Sequence, residues 1–313
     1  MDTTQTKDIC TEEFLINMGP QHPSTHGVLS LELKLDGEMV KDCTAHIGYL
    51  HRSMEKLAEN RTYTQFIPYT DRLDYVASMN NNLGYVMAVE KLLNMDVPER
   101  AKYIRVIAAE LNRVASHLIA IGTFAQDLGA IATPLFYCFR EREKIIDMFD
   151  RICGNRLTYN YMRIGGVQFD LPKGIDEDIK KFIKYMRAKI DDYDWLLTYN
   201  TIFLARSKHI GVLPKDIAIN YSVSGPNLRG SGVKWDLRKN EPYLVYDKFN
   251  FDIPVGKSGD AWDRYKIRLE EMRQSLKIVE QAVGALPEGD PTAKAGRIHK
   301  PPAGEVYMRT ENP

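Results

Sequence analysis

Apolar residues that recur at alternating spacings of three and four constrain the fold of this chain more than any other feature. The clearest run extends from Ile104 to Ile121. Further helical segments lie within 76–93, 136–149, 179–197 and 262–283. This spacing places apolar side chains on one face of a helix, and several such helices predict a helical bundle. We expect the helix with the clearest run to begin at Asp96-Val97-Pro98-Glu99, which is a capping-box pattern with Asp96 as the cap.

The first fifty residues favour strands instead. Every second residue from Leu29 to Leu35 is leucine, and polar side chains lie between them. Asp36-Gly37 is a hairpin signal, so we expect 38–46 to return as the partner strand. A loop with two prolines, Gly19 to Gly27, precedes this hairpin and is unsuited to a regular helix.

A second β segment is predicted late in the chain. A glycine-rich stretch, 224–239, is followed by strand-like residues from Tyr243 to Ile253. Gly230 and Gly232 begin a GxGxxG pattern, but Trp235 stands at the third glycine position, which favours a turn-rich connection over a nucleotide site. The predicted fold class is therefore α+β and mainly helical. An N-terminal antiparallel β region covers 1–51, and a helical core covers 52–313 with a small β insertion near 225–253.

Composition excludes several classes of protein. Lys plus Arg and Asp plus Glu both number 42, so the formal net charge is zero and nucleic acid is not an expected partner. No two of the four cysteines are spaced CxxC, which argues against a zinc ribbon, a thioredoxin motif or an iron–sulfur cluster held by this chain alone. No apolar stretch reaches the roughly 20 residues that span a bilayer. We expect any membrane association to go through partners.

The loop before the hairpin contains two histidines that invite a metal interpretation. His22 and His26 lie four residues apart, but Pro23 prevents a helical pair, and no acidic or cysteine cluster nearby completes a ligand shell. No metal site is therefore expected. His22 fits a histidine that ties down the backbone of the loop. His26 precedes Gly27, where the backbone can approach another group closely, and it could line a pocket.

Five further residues are open to a packing role or a functional role. Tyr75 opens a helical run and fits a core aromatic whose hydroxyl is hydrogen-bonded. Glu110, Arg113 and His117 lie on one flank of the clearest helix, where they are predicted to form a polar rim. Asp127 follows that helix, and a lone carboxylate there could satisfy nearby backbone N–H groups.

The stretch from Arg151 to Arg156 is similar to the RxCGxC signature of nickel–iron hydrogenases. Arg156 stands where the second cysteine belongs, and no later DPCxxC follows. The bimetallic site of those enzymes needs four thiolates. Cys153 is therefore interpreted as a small buried residue.

In combination, short blocks along nearly the whole chain resemble the D-type subunit family of respiratory complex I, the proton-pumping NADH:quinone oxidoreductase. The blocks occur in order, and the ordered set is specific although each block alone is weak. They are Gly19–Gly27 with Val28-Leu29-Ser30-Leu31, His46–Arg52, Glu59–Tyr63, Asp71–Tyr75, Glu110–Arg113 with Ser116-His117-Leu118, Asp127–Ala130, Arg140–Glu143, Arg163–Gly166 and Leu228–Gly232.

The resemblance implies the fold of a nickel–iron hydrogenase large subunit that has lost its thiolates, with the old metal pocket turned into the head of a quinone cavity. It places His26 and Tyr75 at the bound quinone, as catalytic and quinone-binding residues, and it places Asp127 beside His26 as a third catalytic residue. A carboxylate beside His26 would favour the imidazolium form. Proton loss from His26 on quinone reduction could then release Asp127 and start a conformational signal to the membrane arm.

The resemblance also implies a quinone as substrate and electrons from an iron–sulfur cluster on a partner subunit, with no metal or cluster bound by this chain alone. The expected partners are the cluster subunit, other peripheral-arm subunits and the membrane-arm subunit at the quinone entrance. The expected location is peripheral, on the cytoplasmic side of the inner (cell) membrane. The alternative is a non-catalytic scaffold that docks the cluster-bearing subunit.

Two departures from the family pattern bear on these expectations. Thr158 and Tyr159 stand where many members have a histidine pair near the terminal cluster. In addition, the sequence ends at Pro313, whereas the family continues for several dozen residues, so the C-terminal family segment is expected to be absent.

Overall fold

The computed structural model describes residues 13–25, 27–130, 132–293 and 299–313, and the chain divides into two compact units. The smaller unit ends at Asn60, and the larger unit runs from Arg61 to Pro313. The predicted boundary after residue 51 precedes this division by one short helix.

The smaller unit is an antiparallel sheet followed by a helical turn. Its elements are β1 Glu13–Met18, β2 Ser30–Asp36, β3 Met39–His46 and α1 Met54–Glu59. The strands pair in the order β1-β2-β3, and the β2–β3 register runs from Ser30 opposite His46 to Asp36 opposite Met39. The predicted hairpin is therefore confirmed. The sequence reasoning did not single out β1, which adds a third strand by pairing Glu13 with Asp36.

The described residues of the larger unit are mainly helical and contain one very short hairpin, β4 Met162–Arg163 and β5 Gly166–Val167. Its helices are α2 Tyr63–Thr70, α3 Ser78–Leu93, α4 Glu99–Asp127, α5 Thr133–Cys153, α6 Ile175–Tyr193, α7 Thr201–Ser207, α8 Lys215–Asn220, α9 Gly225–Gly230, α10 Leu237–Asn240 and α11 Ala261–Gly284. The α+β, mainly helical class is confirmed. Within the described part of the chain, no helix is both long enough and apolar enough to cross a membrane.

Helix α4 is the centre of the core. It packs against α5 on one side and α11 on the other, and its apolar run from Ile104 to Ile121 is buried. The predicted cap is wrong: Pro98 occupies the cap position, and no side chain caps the helix there. A capping side chain reaches the N–H groups two or three residues ahead, so Asp96 lies too early in the chain for a helix that begins at Glu99.

The predicted β insertion is also wrong. All residues from 225 to 253 are described, and they form α9, α10, a short 3₁₀ turn and irregular segments with no strand. Asp236 caps α10 through the N–H of Arg238, and Leu244 has a φ of 53°, which no strand residue adopts. Tyr243 and Tyr246 pack ring against ring, with centroids 4.9 Å apart, as residues three apart in a turn can do.

A buried ion pair fixes the β4–β5 hairpin to the core. Arg105 of α4 and Glu90 of α3 pair through two hydrogen bonds, and Arg105 Nε also donates to the Gly166 carbonyl at 3.1 Å. Glu90 accepts the N–H of Gly165 at 2.7 Å. Gly166 must be glycine, because a Cβ there would lie 2.3 Å from the carbonyl oxygen of Pro291. This hairpin contains the Arg163–Gly166 block of the family resemblance.

Candidate active site

Tyr75 is the last residue of an exposed stretch, 72–75, and the chain becomes buried from Ala77 onward. It opens a short 3₁₀ helix, Tyr75–Ala77, which leads directly into α3. Half of the Tyr75 side chain is exposed, whereas Ala77, Ser78 and Met79 are fully buried. The prediction of a core aromatic is therefore wrong for Tyr75, because the turn that carries it is packed while the phenol projects out of the packing.

Side chains from two helices hold this turn. Asn112 of α4 accepts the N–H of Met79 and donates to the carbonyl of Val76, both at 3.0 Å. The Ser78 hydroxyl lies 3.0 Å from the Tyr75 carbonyl and 3.1 Å from the Asp71 carbonyl. Asp74 caps the 3₁₀ helix by accepting the N–H of Val76. The backbone after Tyr75 is thus fixed from α4, and Ser78 of α3 bonds the carbonyls of Tyr75 and Asp71, so the position of the turn is determined by the core.

Asp127 is the last residue of α4 and is exposed. The helix ends in a tight return in which the N–H of Ala130 reaches the carbonyl of Ala125 at 2.9 Å. Gly129 makes this return with a φ of 91°, and Arg206 of α7 donates to the Leu128 carbonyl at 2.7 Å. A Cβ on Gly129 would lie 2.2 Å from Arg206 Nη1, so the return needs glycine for its conformation and for space. Asp127 is therefore presented on a fixed helix end.

The two described site residues are attached to the same helix at different levels. The turn of Tyr75 is bonded at Asn112, and Asp127 follows fifteen residues later on α4, which corresponds to about 22 Å along the helix axis. His26, the third predicted residue, lies outside the described residues. The described geometry thus fixes Tyr75 and Asp127 separately: Tyr75 lies on a turn bonded to α4, and Asp127 is the last residue of α4.

An apolar cavity of about 300 Å³ lies at the same end of α4 as Asp127. Leu128 and Pro134 line one side of it, and Leu196 and Phe203 line the other. Neither Tyr75 nor Asp127 lines this cavity. It therefore lies next to the candidate site without being formed by the predicted residues.

Helix α4 also contributes to a buried ionic network. Glu110 accepts hydrogen bonds from Arg238 at 2.9 Å and from the Tyr246 hydroxyl at 2.7 Å, and Arg113 lies 3.3 Å from it. Burial alone would raise the pKa of Glu110, but the guanidinium groups of Arg113 and Arg238 outweigh it and lower this pKa to about 2. Arg238 also pairs with Asp236 at 2.7 Å. Glu110 is therefore ionised and neutralised inside the core.

The second half of the network contains a histidine. His117 Nε2 lies 2.8 Å from Glu271 of α11, and Glu271 also accepts from Arg229 at 2.6 Å. Arg229 continues to Glu311 at 2.7 Å. Burial lowers the pKa of His117 to about 4, although the Glu271 carboxylate acts in the opposite direction. The imidazole is therefore neutral at neutral pH.

The predicted polar rim is wrong about location. Glu110, Arg113 and His117 are completely buried, because α11 and the 229–238 segment cover that flank of α4. Sequence reasoning missed Arg238, Glu271 and Glu311, and Arg229 was noted only as part of a block. Arg238 lies 128 residues from its partner Glu110 along the sequence, and Glu271 lies 154 residues from its partner His117. The only available signal was the unusual number of charges on the apolar flanks of α4 and α11.

Cys153 is a buried thiol, as predicted. Its side chain is 7% exposed, and Sγ lies 3.1 Å from the carbonyl of Phe149. Burial raises the pKa of Cys153 to about 11, so the group remains a neutral thiol. Among the described residues, no group of three or more His, Cys, Asp or Glu side chains is arranged to hold a metal ion.

Known proteins match this chain over most of its length. Residues 127–313 match the family model for the 49 Kd subunit of respiratory-chain NADH dehydrogenase. A protein of Dehalococcoides mccartyi named as the D subunit of NADH-quinone oxidoreductase is 57% identical over 305 residues, which cover 97% of this chain and 83% of that protein. A protein of the same name from Bacillus mycoides is 55% identical over 306 residues, with the same coverage.

These matches define a subunit of an oxidoreductase complex. The chain belongs to the family of the 49 Kd subunit of respiratory-chain NADH dehydrogenase. The resemblance drawn from the short sequence blocks is thereby confirmed.

Proposed function

We propose that this chain is the quinone-site subunit of a proton-pumping NADH:quinone oxidoreductase. The observation that carries the proposal is the half-exposed phenol of Tyr75 on a turn that Asn112 of α4 holds after Tyr75 and that Ser78 of α3 connects back to Asp71. A proton donor works best when its position is fixed before the substrate arrives. A core aromatic has no need of such exposure, and a mobile surface tyrosine has no need of such a support.

Reduction of a quinone to a quinol takes two electrons and two protons. The electrons would come from an iron–sulfur cluster on a partner subunit, as the family resemblance implies. The protons need donors within hydrogen-bond reach of the two quinone oxygens. Tyr75 supplies one such donor, and His26 is proposed as the other on the basis of the same resemblance.

Asp127 has a second role in this proposal. It would lie beside His26 and stabilise the imidazolium before the quinone is reduced. Loss of that proton to the quinone would change the charge next to Asp127 at the end of α4. Because Asp127 is the terminal residue of the central helix, a change in its interactions would reach α5 and α7 through the return at Gly129. A His26→Ala variant that still pumps protons at the normal stoichiometry would contradict this role.

The fold and location follow the same proposal. We infer that the helical core has the architecture of a nickel–iron hydrogenase large subunit, for which the vestigial stretch around Cys153 is the support. Residues 1–51 are proposed as the β region that carries the His26 loop. Partners in the peripheral and membrane arms would hold the chain at the cytoplasmic face of the membrane.

The test is quinone reduction by the assembled complex with Tyr75→Phe, which removes one hydroxyl. General acid catalysis contributes roughly 10²- to 10⁴-fold, so quinone reduction should fall by about a hundredfold or more. Reduction of an artificial acceptor that takes electrons upstream should be unchanged. Tyr221→Phe is the matched control, since Tyr221 is 81% exposed in the turn that follows α8 and its hydroxyl has no proposed role. Unchanged quinone reduction in Tyr75→Phe would instead favour the scaffold function.

A further inference from the structure

Asp71 is a buried carboxylate with too few hydrogen bonds. It follows α2 and has no exposed surface. Its Oδ1 accepts the backbone N–H of Asn160 at 3.2 Å, whereas Oδ2 has no hydrogen-bond partner among the described residues. Burial of a carboxylate with one unpaired oxygen disfavours its ionised form.

The same residue belongs to the turn that carries Tyr75. The Ser78 hydroxyl lies within hydrogen-bond distance of the carbonyls of both Asp71 and Tyr75, so it connects the two ends of this segment. The Asn82 amide donates to the Thr70 hydroxyl at 2.8 Å and to the Ile67 carbonyl at 3.3 Å, which fixes the end of α2 next to Asp71. A displacement of Asp71 would therefore move the backbone that leads to Tyr75.

The other end of the Asp71 interaction is Asn160. Its φ of 47° lies in the left-handed region, which asparagine adopts more readily than most non-glycine residues. It follows Tyr159, whose carbonyl lies 3.4 Å from the Asn155 amide nitrogen. The contact between Asp71 and the Asn160 N–H thus joins the Tyr75 turn to the segment that leaves α5 at Cys153.

Burial opposes the ionisation of Asp71. Burial raises the pKa of Asp71 to about 6, opposed by the Asn160 N–H, Asn82, Arg72 and Arg163. The other titratable groups near it are Cys153 and Tyr159, both neutral because burial raises their pKa values to about 11 and about 12. Asp71 is therefore mostly ionised at pH 7 to 8 and mostly protonated at pH 5. A group that destabilises the fold in its working state is typical of a functional position.

We infer that Asp71 is a positioning residue for quinone reduction, whose ionised carboxylate holds the Asn160 amide and so fixes the segment 71–78 from which Tyr75 projects. The inference rests on the proposed function of Tyr75. An ionised acceptor binds an N–H about twice as strongly as a neutral one. Protonation of Asp71 would therefore loosen the connection without breaking the fold.

The test compares Asp71→Asn with the wild type in the assembled complex between pH 5 and pH 8. The amide keeps the size of the side chain and an acceptor for the Asn160 N–H, but it cannot ionise. At pH 8 we expect kcat/KM for quinone to be about fivefold lower in Asp71→Asn, the factor that corresponds to about 1 kcal/mol of lost hydrogen bonding. At pH 5, where Asp71 of the wild type is protonated, the two should differ by less than about twofold.

The matched control is Asp96→Asn, since the Asp96 side chain is 97% exposed and lies before α4. The kcat/KM of Asp96→Asn for quinone should equal that of the wild type at every pH. The inference is overturned if the ratio of the Asp71→Asn kcat/KM to the wild-type value is the same at pH 5 and pH 8. This holds whether that constant ratio is one or lower. If Tyr75→Phe lowers quinone reduction while the Asp71→Asn ratio is flat, only this inference fails. If Tyr75→Phe has no effect, the proposed function fails.

A second measurement needs no variant and covers the case in which Asp71→Asn does not assemble. Amide hydrogen exchange of residues 158–161 in the wild-type complex, corrected for the intrinsic pH dependence, reports the Asn160 N–H directly. We expect its protection to be about fivefold lower at pH 5 than at pH 8. Equal protection at both pH values would contradict the inference.

Discussion

The Asn112 side-chain nitrogen donates to the carbonyl of Val76, the residue after Tyr75, at 3.0 Å, and the Asn112 Oδ1 accepts the N–H of Met79. One buried amide on the central helix thereby fixes the turn that presents the phenol. Asn112 is only 1% exposed, so a buried residue helps to fix the position of the half-exposed Tyr75.

Asn112→Ala is expected to loosen this turn. It leaves the buried N–H of Met79 and the part-buried carbonyl of Val76 without this partner, and an unpaired buried group costs about 1–3 kcal/mol. We expect the free energy of unfolding to fall by about 2 kcal/mol or more and quinone reduction to fall with it. Thermal unfolding of the purified chain and activity of the complex are the measurements. Normal quinone reduction in a complex that contains Asn112→Ala would show that the turn is held in another way.

Arg238→Met should be among the most destabilising substitutions in the chain. It removes the guanidinium between Glu110 and Asp236 and leaves two buried carboxylates without it, and breaking a buried pair costs about 3–5 kcal/mol. Arg156→Met is the matched control, because Arg156 pairs with Glu143 and Asp147 at the surface, where such pairs contribute at most about 1 kcal/mol. Denaturant unfolding of both variants measures the difference. Equal stability of the two would mean that the network relaxes or takes up protons.

His117 should make the fold sensitive to acid. Its pKa is lowered to about 4 by burial, so the unfolded chain binds a proton near pH 6.5 and the folded chain does not. The stability that neutral His117 contributes is therefore fully present above pH 6.5. It is lost as the pH falls toward 4, and this loss is at most about 3 kcal/mol. His117→Gln keeps a donor for Glu271 and removes the titration. The stability of the wild type relative to this variant should fall between pH 7 and pH 4, and a constant difference would show that His117 binds its proton in the folded state.

Gly129→Ala should disturb the end of α4 that carries Asp127. Alanine is disfavoured at a φ of 91°, and its Cβ would force Arg206 away from the Leu128 carbonyl, at a cost of about 1–2 kcal/mol or more. Gly284→Ala is the control, because that glycine ends α11 with open space around its Cβ position and should gain up to about 1 kcal/mol. Melting temperatures of the two variants should move in opposite directions. A stabilised Gly129→Ala would contradict the role of the return.

The alternating spacings of three and four predicted α4 and α11 closely, because one buried face leaves a regular signal within the sequence of a helix. The hairpin was predictable for the same reason, since Asp36-Gly37 and its flanking alternation are local. Asp96 and the 243–253 segment were misread because capping and strand formation depend on where a neighbouring element begins. Tyr75 and Asp127 were found only through the resemblance of whole blocks, as neither has a distinctive local pattern.

The sequence by itself determined the helical class, the hairpin and the family. Tertiary structure decided which polar residues are buried and which are presented. Glu110 and His117 resemble surface residues in sequence, yet α11 covers them, while Tyr75 resembles a core residue and projects from a packed turn. The physical reason is that a buried polar group is stable only when it is paired, and here the partners are residues distant in sequence, such as Arg238 and Glu271. The local sequence pattern around Glu110 and His117 does not indicate which distant residues pair with them.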